Sequence, residues 1–261
     1  MSSLQNNTEQ NKTGQSSSWQ RLQAKWQWLG YYEITVLLGI ILVVGGVWGF
    51  AKLADEVIEG ETHWLDEKIL LAMRNPADHA DPLGPPWVEE IGRDLTALGG
   101  TAVLVLLTGG VVGYLLLARK YNLAWLVLIA IGGGILLNWL LKQGFSRPRP
   151  DLVPHGSYVY DSSFPSGHSM DSAATYLTLG ALLARIQPRR RLKAYILAWA
   201  IVLTGLVGVS RVYLGVHWPT DVLGGWTAGA VWAALCWLVA RWLQKRGQLT
   251  PTGEANDRMT G

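Results

Sequence analysis

Charge-free apolar runs alternate with short polar segments along most of this chain. The runs at 34–51, 95–118, 121–141, 194–210 and 222–240 hold 18, 24, 21, 17 and 19 residues. About 20 apolar residues cross a ~30 Å hydrocarbon core as a helix, so each run predicts a membrane span. A sixth run, 169–184, is interrupted by Asp171, Ser172, Thr175 and Thr178. Such a polar span faces the bundle interior or a wet cavity rather than lipid. Between the first two runs lies a loop of about 40 residues rich in acids, including Asp55, Glu56, Glu59, Glu61, Asp66 and Glu67. Leu65, Ile69, Leu70 and Met73 fall there at helical spacing and predict an amphipathic helix, read as a lid or packing element. The pattern predicts an all-α fold, a six-transmembrane-helix bundle with an external amphipathic helix or loop between spans one and two. The bundle domain is placed at 31–245, between a disordered juxtamembrane tail at 1–30 and a flexible C-terminal tail at 246–261. The polar, Gln-, Asn- and Ser-rich composition of residues 1–18 carries the disorder expectation, and its lack of an apolar core argues against a cleaved leader.

Composition agrees with a membrane protein: 49% of the 261 residues are hydrophobic and only 16% are charged. A single cysteine, Cys236, excludes a disulfide framework within the chain and reads as a small buried apolar residue. The net charge of +3 matters less than its placement. Six spans put 14 of the 22 Lys and Arg residues on the side of both termini, including Arg185, Arg189, Arg190, Arg191 and Lys193. The positive-inside rule then makes both termini cytoplasmic and sends the remaining loops outward. Of the 14 Trp residues, Trp26, Trp28, Trp125, Trp139, Trp218 and Trp242 fall near span ends, where indole anchors in the headgroup zone. Nothing in this arrangement suggests a nucleic-acid groove.

Three outward-facing stretches carry candidate chemistry. In the first, Lys142 ends the third span and Arg149 follows a turn made by Ser146-Arg147-Pro148-Arg149-Pro150. The prolines stop the helix, and guanidinium and ammonium groups suit a phosphate. Snorkelling toward lipid headgroups explains the same residues equally well at this point, and the role of Arg147 is open. The second stretch, Phe164-Pro165-Ser166-Gly167-His168, opens the polar span. Backbone N–H groups at a helix start bind anions, Ser166 can cap the helix or donate to a phosphate, and Gly167 permits close approach. His168 can protonate a leaving oxygen. In the third, Ser210-Arg211-x5-His217-x3-Asp221, Pro219 suits the first turn of the sixth span. Asp221 can hold one imidazole nitrogen of His217 and leave the other to attack. Arg211 offers a further guanidinium, and Ser210 supports its neighbours.

Together, Lys142-x6-Arg149-Pro150, Pro165-Ser166-Gly167-His168 and Ser210-Arg211-x5-His217-x3-Asp221 resemble the three-part signature of the type 2 phosphatidic acid phosphatase (PAP2) family, which also includes vanadium haloperoxidases. All eleven signature residues are present in order. The resemblance implies a catalytic set of His217 as nucleophile, His168 as acid and then base, and Asp221 as its orienting carboxylate. It implies that Lys142, Arg149, Ser166, Gly167 and Arg211 hold the phosphate. It further implies a lipid phosphatase of the cytoplasmic membrane with its site on the external face, no metal and no other cofactor. The partner expected is an anionic lipid substrate such as undecaprenyl diphosphate, phosphatidylglycerophosphate or phosphatidic acid, with neither nucleic acid nor an obligate protein partner. A phosphotransferase shares the first half-reaction and differs only in the acceptor. A transporter or lipid-binding protein would need the cations but neither His217 nor its carboxylate, and haloperoxidase relatives lack the spans. His63, His79 and His155 receive no role, although His155 is placed to line the entrance.

Overall fold

The computed structural model describes residues 34–155 and 162–245. Both predicted tails, Trp26 and Trp28 lie outside them. Residues 42–261 form one compact unit; the other is 1–41, of which the first two turns of α1 are described. The described residues are helical apart from one hairpin and the connecting turns. In order come α1 (Ile34–Glu59), α2 (His63–Leu71), the strands β1 (Arg74–Asn75) and β2 (Asp78–Pro82), and α3 (Pro86–Ala97). Then follow α4 (Thr101–Leu117), α5 (Tyr121–Gly144), α6 (Gly167–Ile186), α7 (Arg190–Tyr213) and α8 (Pro219–Lys245).

Four helices, α1, α5, α7 and α8, are long and apolar enough to cross a membrane, and α3 with α4 makes a fifth if that pair, bent by 48°, is taken as one span. The chain is a multi-pass membrane protein. Large apolar side chains remain exposed on α1 (Val47, Trp48), α4 (Leu106, Leu117), α5 (Ile129, Leu136) and α7 (Ile201, Val202), as a lipid-facing surface requires.

The polar run becomes α6, and its place explains its composition. α6 packs against α5, α7 and α8 and buries Ser169, Ser172, Thr175 and Thr178. The hydroxyls turn partly back on the helix, as Ser172 does by donating to Ser169 O at 3.1 Å. Two glycines let α8 lie directly on it. A Cβ on Gly225 would come 2.5 Å from Ser166 O, and one on Gly229 would come 2.5 Å from Met170 O. Small residues four apart allow helix backbones to close together where lipid supplies no hydrophobic drive.

Three expectations change. The second apolar run is not one helix from 95: α3 carries residues 95–97 as its last turn, and Leu98-Gly99-Gly100 bends the chain into α4. The run looked continuous because the end of amphipathic α3, after Arg93 and Asp94, happens to be uncharged. The region after the amphipathic helix also holds an antiparallel hairpin pairing Arg74 with Pro82 and Asn75 with Asp78. Its short strands are polar and mostly exposed, so they carry no hydrophobic alternation to read. Finally, Trp218 is no interface anchor. It is 3% exposed and its indole N–H donates to Pro148 O at 3.0 Å. Trp226 and Trp232 likewise donate inside the bundle, to Thr204 O and Ala130 O. Trp125, Trp139 and Trp242 do stay exposed.

Helix α2 includes Leu65, Ile69 and Leu70, with Met73 just beyond its end. Leu70 is fully buried in a cluster with Val153, Val212, Trp218 and Val222, which packs α2 onto the start of α8. Below Phe164, a second cluster joins Ala54 and Val57 of α1 to Phe50 and Phe145. Cys236 is half-buried and free.

Candidate active site

The three sequence stretches converge where α5 ends, α6 begins, and α7 turns into α8. The α7–α8 turn is tight: Leu214 N and Gly215 N donate back to Ser210 O and Val212 O, and Gly215 adopts φ +72°. A side chain there would be strained and would meet Arg74 Nη2 at 2.7 Å. The turn leaves His217 just ahead of Pro219, the first residue of α8, and Asp221 within its first turn.

His217 is 2% exposed and Asp221 fully buried. Nδ1 of the imidazole lies 3.4 Å from Asp221 Oδ2. The same Oδ2 accepts the Trp218 backbone N–H at 2.9 Å and a short hydrogen bond from Ser163 Oγ, which itself lies 3.5 Å from Nδ1. On the other side of the ring, Arg149 Nη1 sits 3.1 Å from Nε2 while donating to Val216 O at 2.8 Å. Burial holds the imidazole below its ordinary value, to about 4; the Asp221 contact opposes this, and the Arg149 and Arg211 cations add to it. The ring is therefore neutral at pH 7. With Nδ1 facing a carboxylate, Nδ1 carries the proton and the Nε2 lone pair points toward Arg149.

The remaining cations are fixed before any phosphate need arrive. Lys142 Nζ donates to Ser162 O at 3.0 Å. Arg211, 2% exposed in the last turn of α7, donates to Thr96 Oγ1 of α3 at 2.9 Å. His168 opens α6, half-buried, with Gly99 of the α3–α4 elbow against its backbone carbonyl. A Cβ on Gly167 would come 2.9 Å from Asn138 Nδ2 and 3.5 Å from Lys142 Cε, so the glycine makes room for the α5 side chains. Ser166 is fully buried and its side chain makes no cap bond; its N–H donates to Asp221 O at 2.9 Å, and Ser169 Oγ donates to its hydroxyl at 3.0 Å. Ser210 donates to Val207 O within its own helix.

Sequence reading missed several members of this cluster. Ser163 touches both His217 and Asp221. Asp66, seen only as one acid of an acidic loop, is fully buried under the site. Arg147 bridges them: Nη1 donates to Asp221 Oδ1 at 2.6 Å and Nη2 to Asp66 Oδ2 at 2.6 Å. These partners lie 54 to 81 residues apart in sequence, beyond any local spacing rule. Of the unassigned histidines, His155 contacts Pro150 O and lines a cavity of about 400 Å³ beside the hairpin. His63 packs on Trp218 and pairs with Glu67, and His79 lies exposed on β2.

The profile of the PAP2 superfamily matches residues 123–245, which hold all three stretches. The chain is 40% identical over 149 residues to phosphatidylglycerophosphatase B of Bacillus subtilis, covering 55% of this chain and 71% of that protein. It is 33% identical over 179 residues to a lipid A 1-phosphatase of Rhizobium etli (59% and 72%) and 29% identical over 161 residues to a putative undecaprenyl-diphosphatase of Escherichia coli (59% and 74%). Its fold matches the crystal structure of a transmembrane PAP2-type phosphatidylglycerolphosphate phosphatase from Bacillus subtilis. That match has a TM-score of 0.67 at 31% identity over 78% of this chain and 98% of the other. The chain belongs to the PAP2 superfamily, and as an enzyme it stands with the family's phosphatases.

Proposed function

We propose that this protein hydrolyses the phosphate or diphosphate ester of a membrane lipid without a metal ion, through a phosphohistidine on His217. The observation that carries the reading is the pair of contacts on that ring: Nδ1 against a buried carboxylate, and Nε2 facing a guanidinium suited to a phosphoryl oxygen. Nε2 attacks phosphorus in line, the bond to the leaving oxygen breaks, and His168 supplies the proton that oxygen needs. Water, giving a proton back to His168, then displaces the phosphoryl group as inorganic phosphate and restores His217. Lys142, Arg149 and Arg211, with Ser166 and the Gly167 backbone, take the equatorial oxygens. Cations already held by Ser162 O, Val216 O and Thr96 meet the developing charge with little reorganisation.

The relatives' activities make phosphatidylglycerophosphate, undecaprenyl diphosphate and lipid A 1-phosphate the first substrates to try, beside phosphatidic acid. Counting α6 and the bent α3–α4 pair as spans gives six. The charge asymmetry then puts both termini in the cytoplasm and the site at the external face.

The test is inorganic phosphate release from purified protein in detergent, with EDTA present, from that panel of lipids. Release that survives chelation and disappears in His217→Ala supports the reading. Release that the variant retains, or that needs an added metal, overturns it. Loss of phosphate from the donor lipid that needs a second lipid or sugar hydroxyl, with the phosphate recovered on that hydroxyl rather than as inorganic phosphate, marks a transferase instead.

A further inference from the structure

We propose that Asp66 of α2 and Arg147 form a positioning relay for the nucleophile, which makes α2 a working part of the active site and keeps Arg147 out of the phosphate grip. The proposal rests on the reading of His217 as nucleophile.

Asp66 and Asp221 are two fully buried carboxylates on opposite sides of one guanidinium. Arg147, whose side chain is 11% exposed, spends Nη2 on Asp66 Oδ2 and Nη1 on Asp221 Oδ1, each at 2.6 Å. Its Nη1 also donates to Thr220 Oγ1 at 2.8 Å. Thr220 closes the loop, for its hydroxyl donates to Asp66 Oδ2 at 2.6 Å and its backbone N–H to Asp66 Oδ1 at 2.9 Å. Asp66 therefore caps the first turn of α8 from another helix, and it anchors the arginine that holds Asp221. The face of the Trp218 ring lies 5.7 Å from the Arg147 guanidinium carbon.

The geometry divides the labour within Asp221. Oδ1 belongs to Arg147; Oδ2 belongs to Trp218 N, Ser163 Oγ and His217 Nδ1. A carboxylate clamped at one oxygen cannot rotate the other away from the imidazole. Arg147 reaches two carboxylates at once because guanidinium is a planar fork, and a lysine ammonium cannot reproduce that bridge. Both its terminal nitrogens are paired with carboxylates, whereas the signature cations Lys142, Arg149 and Arg211 donate to Ser162 O, Val216 O and Thr96 Oγ1. The relay thus acts on the attack of Nε2 rather than on affinity for phosphate. Small misplacement of a reacting group costs about 10²-fold in rate.

Asp66→Asn and Arg147→Lys test this in the full-length protein in detergent, with kcat, KM, inhibition by inorganic phosphate and thermal unfolding measured on each. The expected result is a fall in kcat of roughly 10-fold for Asp66→Asn and about 10²-fold for Arg147→Lys, with KM and phosphate inhibition within about twofold of wild type. The double variant should be no slower than Arg147→Lys alone, because residues in one network do not add. A lower unfolding temperature with unchanged kcat would show a purely structural cap and overturn the proposal. Raised KM and weakened phosphate inhibition at unchanged kcat would place Arg147 in the phosphate grip and also overturn it. His217→Ala run in parallel separates the two levels: if that variant stays active, the nucleophile reading itself fails.

Discussion

His217 gains its chemistry from groups that surround it on every side, and single substitutions there have separable consequences. Replacing it by alanine removes the proposed attacking atom, and phosphate release should fall by at least about 10³-fold. Asp221→Asn keeps the shape but offers an amide where Nδ1–H needs an acceptor, so a fall of about 10²–10⁴-fold in kcat is expected. Steady-state assays in detergent check both. Burial also leaves a mark on stability. The ring holds a proton only below about pH 4 in the folded protein and below about 6.5 in an unfolded chain. Between those values the unfolded chain binds the extra proton, so this residue's contribution to stability falls as pH drops through that window. Thermal unfolding at pH 7 and pH 5 should show a larger loss for wild type than for His217→Gln; equal losses would refute it. At this scale the signature residues were legible because Asp221 follows His217 by four positions and the three stretches occur together in order at the edges of apolar runs. Ser163, Asp66 and Thr96 were not, since only tertiary packing brings them to the site.

Helices carry the site by their close approach, and α6 is the one that tolerates least. Its polar residues announced a buried helix correctly, because hydroxyls and a carboxylate facing lipid would be left without partners. The contact that buries it is made by glycines of α8. Gly229→Leu would force a side chain into Met170 O and Ala173 and should cost about 1–3 kcal/mol, as overpacked cores do. Gly113→Leu on α4, where a Cβ meets nothing within 4 Å, should leave unfolding unchanged. A thermal shift in the first variant and none in the second is the expected pair of results. The same contact reaches the proposed site, because Gly225 lies against Ser166 at the α6 start that presents His168. Hydropathy runs found the spanning helices, yet could not find the 48° elbow between α3 and α4. A run of uncharged residues marks what lipid can cover, whereas a bend depends on Gly99-Gly100 and on the α7 surface that the elbow meets. The elbow matters to the site through Thr96, which holds Arg211.

For the whole molecule, the decisive question is which side of the membrane the assembled site faces. Most cations outside the motif loops collect at the α4–α5 turn (Arg119, Lys120), the α6–α7 turn (Arg189, Arg190, Arg191, Lys193) and the end of α8 (Arg241, Lys245), against Lys52, Lys68, Arg74 and Arg93 on the other side. The end of α1, α2, the hairpin and α3 hold most of the acids, and the α5–α6 and α7–α8 connections hold the site. Basic loops resist translocation, so the proposed orientation keeps the first set in the cytoplasm and lets the second emerge. Two positions test the orientation. His79 on β2 is exposed, as is Arg191 at the start of α7, so a cysteine at either place is open to reagents. In a background where Cys236, the sole native cysteine, is replaced by alanine, His79→Cys should react with a membrane-impermeant maleimide on intact cells. Arg191→Cys should react only after the cells are opened. The reverse pattern would turn the protein over and give the site a cytoplasmic pool of substrate. Labelling of both on intact cells would break the six-span count, because those two positions could then no longer lie on opposite sides.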